Sequence, residues 1–370
     1  MTATMDLKIA QLRKRKGVSQ QELADFLGVT FQSVSKWETK TTLPDITLLP
    51  LIADYFQVSV DELLGLKPIE DLKYMPRNTD DRENWKNRTN VIEHDRLFFW
   101  NEDYLNYLIK EVWRIQKPVN IIEFCCCDGD LGKRILPLLP DGSTYTGVDS
   151  QCLIERAKKN FYGENVTYIS TDIYQFHAEC KYDVSICQAA LRHMNYPLQI
   201  LDSMKEAVLP GGLVICVEIN REIENVGFYV EGMKYDSLCN SFDWRKLWLK
   251  ELDCEGRDYA IGMRLPFLMR EIGLKDVDVR MNDKVSFITP DNKDYENLCN
   301  SFQTYRGFYQ TEEQTISEQG IEFYMSRGYK RSEIEKLIKF QIEMSKSFTD
   351  NHGNLSFLFF FGFLISFGRR

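Results

Sequence analysis

Apolar residues recur every three or four positions through the first sixty-five residues, and then the rhythm changes. Ile9 and Leu12 place an apolar stripe on a first helix, which Gly17 can end in a left-handed conformation. Ser19 followed by Glu22 has capping-box spacing and opens a second helix, closed by Gly28. Thr30 caps a third, FQSVSKWE, with Val34 and Trp37 facing inward. Pro44 and Asp45 start a fourth, buried through Leu48, Leu51, Ile52 and Phe56. With a short helix after it, this pattern predicts a helix-turn-helix inside a compact five-helix domain over residues 1–66.

Residues 67–100 are polar and then aromatic, with the charged run NTDDRENWKNR, and suit a linker leading into exposed helices. From Val119 onward, the β-rich runs VNIIEF, STYTGVD, NVTYIST, YDVSICQ and GGLVICVE alternate with helical stretches such as LIERAKKNF. That alternation predicts an α/β domain over residues 101–370, a parallel sheet with helices on both faces. Two later apolar runs, KVSFITP and FLFFFGFLISF, are separated by about 65 residues that read as helices, and an insertion of that length suggests a cap over a site. Cap insertions are expected at about 220–260 and 291–355. The longest apolar run, Leu355 to Phe367, is thirteen residues broken by two serines and a glycine, short of the roughly 18 a membrane helix needs, and predicts a buried strand.

Composition narrows the function classes. The 370 residues are 44% hydrophobic and 27% charged, which excludes a mainly disordered or collagen-like chain. A net charge of -9 argues against non-specific coating of nucleic acid, but the charge is unevenly spread. Up to residue 40, seven basic residues stand against four acidic ones, so the first domain has a local basic face. Asp6 and Lys8 interrupt the apolar stretch that a secretory signal needs, which points to the cytoplasm. The ten cysteines are then expected as thiols, and without a Cys-x-x-Cys pair no structural metal is expected.

The segment SQQELADFLGVTFQSVSKWE resembles the xenobiotic-response-element (XRE) family of DNA-binding domains, of the lambda-Cro type. The resemblance covers about 60 residues. It implies a recognition helix in the major groove of a double-stranded operator, with Phe31, Gln32, Ser33 and Lys36 at base edges. Gln20 and Ser35 would hold the DNA backbone, and two copies would bind as a homodimer. Two positions depart from the family: Lys40 stands where glycine is usual, and the apolar Phe31, placed to touch a thymine methyl, stands where a polar reader is common.

IIEFCCCDGDLG reads as strand, tight loop and helix start, and TGVDS ends the next strand on an acidic residue. Followed in order by the strand into Asp172, by KYDVSICQAALRHM and by LPGGLVICVE, it resembles the class I S-adenosylmethionine-dependent methyltransferases of the small-molecule type, from about Val119 to the C-terminus. The fold implied is a doubly wound, Rossmann-like sheet of seven strands, with the last apolar run as one central antiparallel strand. S-adenosylmethionine is the implied cofactor. Glu123 and the loop through Cys125, Cys127 and Gly129 would hold its methionine part, Asp149 with Ser150 its ribose, and Asp172 with Ile173 its adenine. Cys187 and Gln188 would lie beside the sulfonium, and Tyr104 on the leading helix would close over the cofactor. Glycine is usual at the positions of Cys125 and Cys127, because the backbone there passes close to the ligand and can need positive φ.

His193 follows the fourth strand and is the candidate general base or acceptor contact, with Glu218 and Asn220 facing the acceptor pocket. His94, His177 and His352 have no comparable context. The stretch CQAALRHM lacks the Pro-Pro-aromatic element and the Pro-Cys nucleophile of DNA methyltransferases, so DNA reads as the address and a small molecule as the substrate. The function expected is methyl transfer to a small molecule in a protein that binds specific DNA. The alternative is a non-catalytic regulator whose second domain senses S-adenosylmethionine or another ligand.

Overall fold

The computed structural model describes residues 7–56, 58–67, 69, 74–76, 96–178, 182–238, 242–308, 316–351 and 353–370. His94, His352 and most of the charged linker lie outside them. The chain divides into two compact units, Met1–Met75 with Ile316–Ile338, and Pro76–Thr315 with Lys339–Arg370.

Five α-helices build the N-terminal part of the first unit: α1 Ile9–Lys16, α2 Gln20–Leu27, α3 Phe31–Glu38, α4 Leu49–Phe56 and α5 Val60–Leu63. The local signals act as expected. Gly17 and Gly28 end their helices at φ 74° and 67°, Ser19 and Glu22 form a reciprocal capping box, and the Thr30 side chain accepts from the Ser33 N–H. Ile9, Leu12, Leu23, Val34, Trp37, Ile52 and Leu63 close over one core. Leu51 corrects the expected pattern: it is 41% exposed, because Asp45 first caps a 3-10 turn, Ile46–Leu48, and α4 begins only afterwards with a different face inward. Lys40 has φ 60°, which accounts for the glycine that the family usually places there.

Residues 316–338 join this unit, although they were expected within the second cap insertion. There the Arg327 Nη2 donates to the Tyr74 hydroxyl at 3.2 Å, and the Met75 N–H donates to the Ser326 Oγ at 3.4 Å.

The second unit opens with α6 Glu102–Tyr107, extended by a π-helical turn, Leu108–Val112. Strand β1 Asn120–Phe124, α7 Asp130–Ile135, β2 Thr144–Asp149, α8 Gln151–Asn160, β3 Val166–Ser170, β4 Tyr182–Gln188, α9 Pro197–Ala207 and β5 Val208–Ile219 follow in alternation. Next come α10 Arg221–Val226, β6 Phe228–Val230, α11 Tyr235–Leu238, α12 Trp244–Glu255, α13 Leu265–Glu271, β7 Lys275–Met281, β8 Ser286–Ile288 and α14 Tyr295–Arg306. Helix α15 Glu318–Met325, which belongs to the first unit, and α16 Arg331–Asp350, which begins there, precede β9 Phe357–Phe359 and β10 Phe363–Arg369.

The main sheet has seven strands in the order β3-β2-β1-β4-β5-β10-β7, with β10 antiparallel to both neighbours and the pairs among β1 to β5 parallel. Apolar clusters cover both faces, as a doubly wound sheet requires. The long C-terminal apolar run is two strands and not one: β9 pairs with β6 and β8 in a separate three-stranded sheet, and Gly362 at φ 64° turns the chain into β10. KVSFITP supplies β8 of that small sheet, while the edge strand of the main sheet is KDVDVRM, largely exposed and without an apolar signature. Among the described residues, no helix is long and apolar enough to cross a membrane.

Candidate functional site

The loop after β1 runs across the carboxyl ends of the parallel strands, where a doubly wound sheet leaves its crevice. Cys125, Cys127 and Gly129 have φ of 57°, 53° and 75°. Two side-chain-bearing residues thus hold a left-handed backbone that costs each of them about 1 kcal/mol or more. The surroundings over-determine it. The Cys126 N–H donates to the Val148 carbonyl at 3.1 Å, the Gly129 N–H to the Cys126 carbonyl at 2.8 Å, and the Cys127 N–H to Asp149 Oδ2 at 2.8 Å. A Cβ at Gly129 would stand 2.7 Å from the Tyr168 hydroxyl, which would have to shift to admit it.

Asp149, at the end of β2, also accepts the Ser150 N–H at 2.7 Å, and Ser150 begins α8. Burial raises the Asp149 pKa, and these two N–H groups oppose the shift. Each carboxylate oxygen keeps a lone pair after one such bond, so acceptor capacity remains for a ligand. Glu123 is 2% exposed, and burial pushes its pKa up to about 8 against the pull of the Tyr145 hydroxyl, which donates to it at 2.5 Å. Burial pushes the Cys127 thiol up to about 12, while hydrogen bonding to Cys187 and burial hold Cys125 well above the ordinary thiol range. Both are therefore neutral thiols, and Cys125 joins the loop to fully buried Cys187 on β4.

Gln188, the next residue, accepts from the Trp100 indole N–H at 2.6 Å. Asp172 turns the chain after β3 by accepting the Tyr174 N–H at 3.0 Å, and half-buried Ile173 packs on the core beneath it. Tyr104 is anchored elsewhere: its hydroxyl donates to the Met281 carbonyl at 2.9 Å, at the end of edge strand β7.

Two residues with no sequence signal complete the neighbourhood. Trp100 is one of them. The other is Arg96, which pairs with Asp128 in the loop and whose charge bears on Glu123, Cys127 and Asp149. A cavity of about 430 Å³ opens where Arg96 and Asp128 meet Arg134, Arg156 and Asn160.

Beyond β4, His193 ends a 3-10 turn, Leu191–His193, and its Nε2 accepts from the Arg192 Nε at 3.0 Å. Glu218, 1% exposed, accepts the Leu191 N–H at 2.7 Å and faces Arg192 at 3.6 Å. Burial raises its pKa, with Arg192 opposing. Asn220 caps α10, accepting from the N–H groups of Glu222 and Ile223 at 3.1 and 3.4 Å. Both side chains thus hold the ends of strands and turns. Exposed His177 lies apart from this group.

In the first unit, Phe31, Gln32 and Lys36 are exposed on α3, and Ser33 and Ser35 are half-buried. Ser33 shares a hydroxyl contact of 2.9 Å with Thr30. Gln20 donates one amide hydrogen to Glu38 at 2.6 Å, and Arg13 holds the same carboxylate through its Nε at 2.5 Å.

Comparison with known proteins gives two matches along the chain. Residues 9–63 match the helix-turn-helix family model, and residues 121–212 match a methyltransferase domain model. The chain is 35% identical over 85 residues to the HTH-type transcriptional activator BcrR of Enterococcus faecalis, covering 23% of this chain and 40% of that protein. It is 31% identical over 121 residues to a ubiquinone biosynthesis O-methyltransferase of Vibrio parahaemolyticus, covering 28% of this chain and 52% of that protein. The chain therefore spans about half or less of the length of these curated relatives. A crystal structure of a methyltransferase-like protein from Bacillus halodurans superposes with a TM-score of 0.40 at 13% identity, over 73% of this chain and 98% of that one. On the two matched segments and the sheet described above, the chain joins an N-terminal helix-turn-helix domain of the XRE type to a methyltransferase domain.

Proposed function

We propose that the second unit transfers a methyl group from S-adenosylmethionine to a small molecule, and that the first binds a double-stranded DNA operator within a cytoplasmic homodimer. One observation carries the reading. Cys125 and Cys127 keep left-handed backbones at φ 57° and 53°, so the loop retains the path of a glycine-rich cofactor loop where side chains have replaced hydrogens. The residues present fit the cofactor. Asp149 has lone pairs to spare for two ribose hydroxyls, and Ser150 continues from it. Asp172 and Ile173 frame the adenine. Glu123 and the loop through Cys125, Cys127 and Gly129 take the methionine part, and Arg96 adds a positive charge beside Glu123. Cys187 and Gln188 would lie beside the sulfur, and Trp100 fixes the Gln188 amide. Tyr104, expected to close over the cofactor, would have to leave its bond to the Met281 carbonyl to do so.

When bound, S-adenosylmethionine supplies a methyl group on a sulfonium sulfur, a carbon already activated for displacement. The chain's task is alignment. The Arg192 Nε donates to the His193 Nε2 and so orients the imidazole, and His193 is the general base or acceptor contact of this reading. Glu218 holds that turn through Leu191, and Asn220 shapes the wall by capping α10. On α3, Phe31, Gln32, Ser33 and Lys36 read base edges, while Gln20 and Ser35 meet phosphates.

Isothermal titration of the full chain with S-adenosylmethionine and, separately, with S-adenosylhomocysteine tests the cofactor assignment. Saturable binding of both is the expected result. Binding of neither would overturn it and leave a DNA-binding regulator on a methyltransferase fold.

A further inference from the structure

Three arginines gather at the carboxyl ends of β4 and β5. Arg192 follows β4, Arg221 begins α10 after β5, and Arg306 ends α14. Arg221 pairs with Glu224, and the Arg306 Nη1 donates to the Glu224 carbonyl at 2.8 Å. Tyr259 links them to His193: its ring lies 5.4 Å from the imidazole, edge-on, with the Arg221 guanidinium 5.5 Å away. Arg192 is 8% exposed, and its Nη1 stands 3.6 Å from the Glu218 Oε2, too far to bond. Among the described residues neither of these two buried atoms has a hydrogen-bond partner.

Such a cluster is costly as it stands. Burial and then the charge of Arg221 pull the Arg192 pKa down, and burial, with Arg221 adding to it, brings Arg306 down to about 10. The carboxylate charges that bear most on the trio are those of Glu218 and Glu224, and burial drives Glu218 towards its neutral form. Guanidinium groups crowded in a region of low dielectric favour a further anion, which they can hold through charge-assisted forks. Arg221 and Arg306 are half-buried, less enclosed than Arg192.

We infer that the methyl acceptor is an anion, a small carboxylic acid or phosphate ester, whose charged group is received by Arg192, Arg221 and Arg306 beside His193. The word acceptor rests on the methyltransferase reading above; the anion site does not.

The full chain is titrated with inorganic phosphate and, in a separate arm, with benzoate, at an ionic strength held constant with sodium chloride. S-adenosylhomocysteine is titrated into the same preparations. At least one anion is expected to bind saturably, phosphate favouring an ester and benzoate an acid. Arg221→Gln and Arg306→Gln are each expected to weaken it about tenfold, or about 1.4 kcal/mol, while leaving the affinity for S-adenosylhomocysteine unchanged. Arg192→Gln touches a fully packed position and can unfold the chain, so the two half-buried positions carry the test. Binding of S-adenosylhomocysteine with saturable binding of neither anion would overturn the inference alone, as would anion binding that both variants leave intact. Anion binding without S-adenosylhomocysteine binding would support the site and overturn the methyltransferase reading.

Discussion

The backbone N–H of Cys127 donates to the Asp149 carboxylate at 2.8 Å, tying the loop after β1 to the end of β2. One carboxylate thus serves two purposes: it pins a left-handed residue in place and, with one such bond on each oxygen, keeps lone pairs for a further donor.

Replacing Asp149 with Ala removes both. The Cys127 and Ser150 N–H groups lose their acceptor, and on the proposed reading the ribose loses its partner. Bonds to a charged group contribute about 1.5 to 3 kcal/mol each, so affinity for S-adenosylhomocysteine should fall on the order of 100-fold in titration. An unchanged dissociation constant would show that the ribose lies elsewhere.

Restoring glycine at Cys125 and Cys127 relieves the φ of 57° and 53° that a side chain tolerates poorly. The double variant should bind S-adenosylhomocysteine at least as tightly as the parent chain, with stability changed by no more than about 1 kcal/mol as strain relief offsets the freer unfolded chain. A marked loss of affinity would mean that the thiols themselves contact the ligand.

Glu123 links folding to pH. Its folded pKa of about 8 lies above the ordinary 4.5, so the folded chain keeps a proton that the unfolded chain has released. Its contribution is complete below about 4.5, declines as pH rises through the window and is gone above about 8. Denaturant titrations across that range should slope downward, and Glu123→Gln, which keeps an acceptor for Tyr145, should flatten them.

On the DNA face, Lys36→Ala should reduce the slope of log affinity against log salt by about one, the signature of one lost phosphate or base-edge cation. Gln32→Ala should weaken binding chiefly to the preferred operator. Neither variant should alter S-adenosylhomocysteine affinity. A drop in both would mark these residues as supports of the fold.

Glu38→Gln probes the interior of the same unit. Arg13 and Gln20 both donate to this carboxylate, and its pKa is lowered because those bonds outweigh burial. Neutralising it should destabilise the unit by about 1 to 3 kcal/mol in thermal melts at neutral pH. In the parent chain this contribution is lost as pH falls through the lowered pKa, below 4.5.

What the sequence determined by itself is local. Capping at Ser19 and Thr30, helix ends at Gly17 and Gly28, and the alternation of strand and helix from Val119 all depend on residues a few positions apart, and the structure bears them out. The order of the motifs around Glu123, Asp149 and Asp172 also pointed to the crevice at the carboxyl ends of the strands. Tertiary structure decided what depends on distant partners. It split the C-terminal apolar run between two sheets, because Gly362 turns the chain and β9 finds its partners in β6 and β8. It placed a polar segment, KDVDVRM, at the sheet edge, where one flank needs no apolar cover. It brought Arg96 to the loop from a stretch with no motif, and gathered Arg192, Arg221 and Arg306 from three elements far apart in sequence. At Lys40, Cys125 and Cys127, where the resembled families usually carry glycine, the backbone has positive φ. For the two cysteines, hydrogen bonds from Cys126 and Cys127 to β2 impose that conformation from outside, and side chains of modest size can bear it.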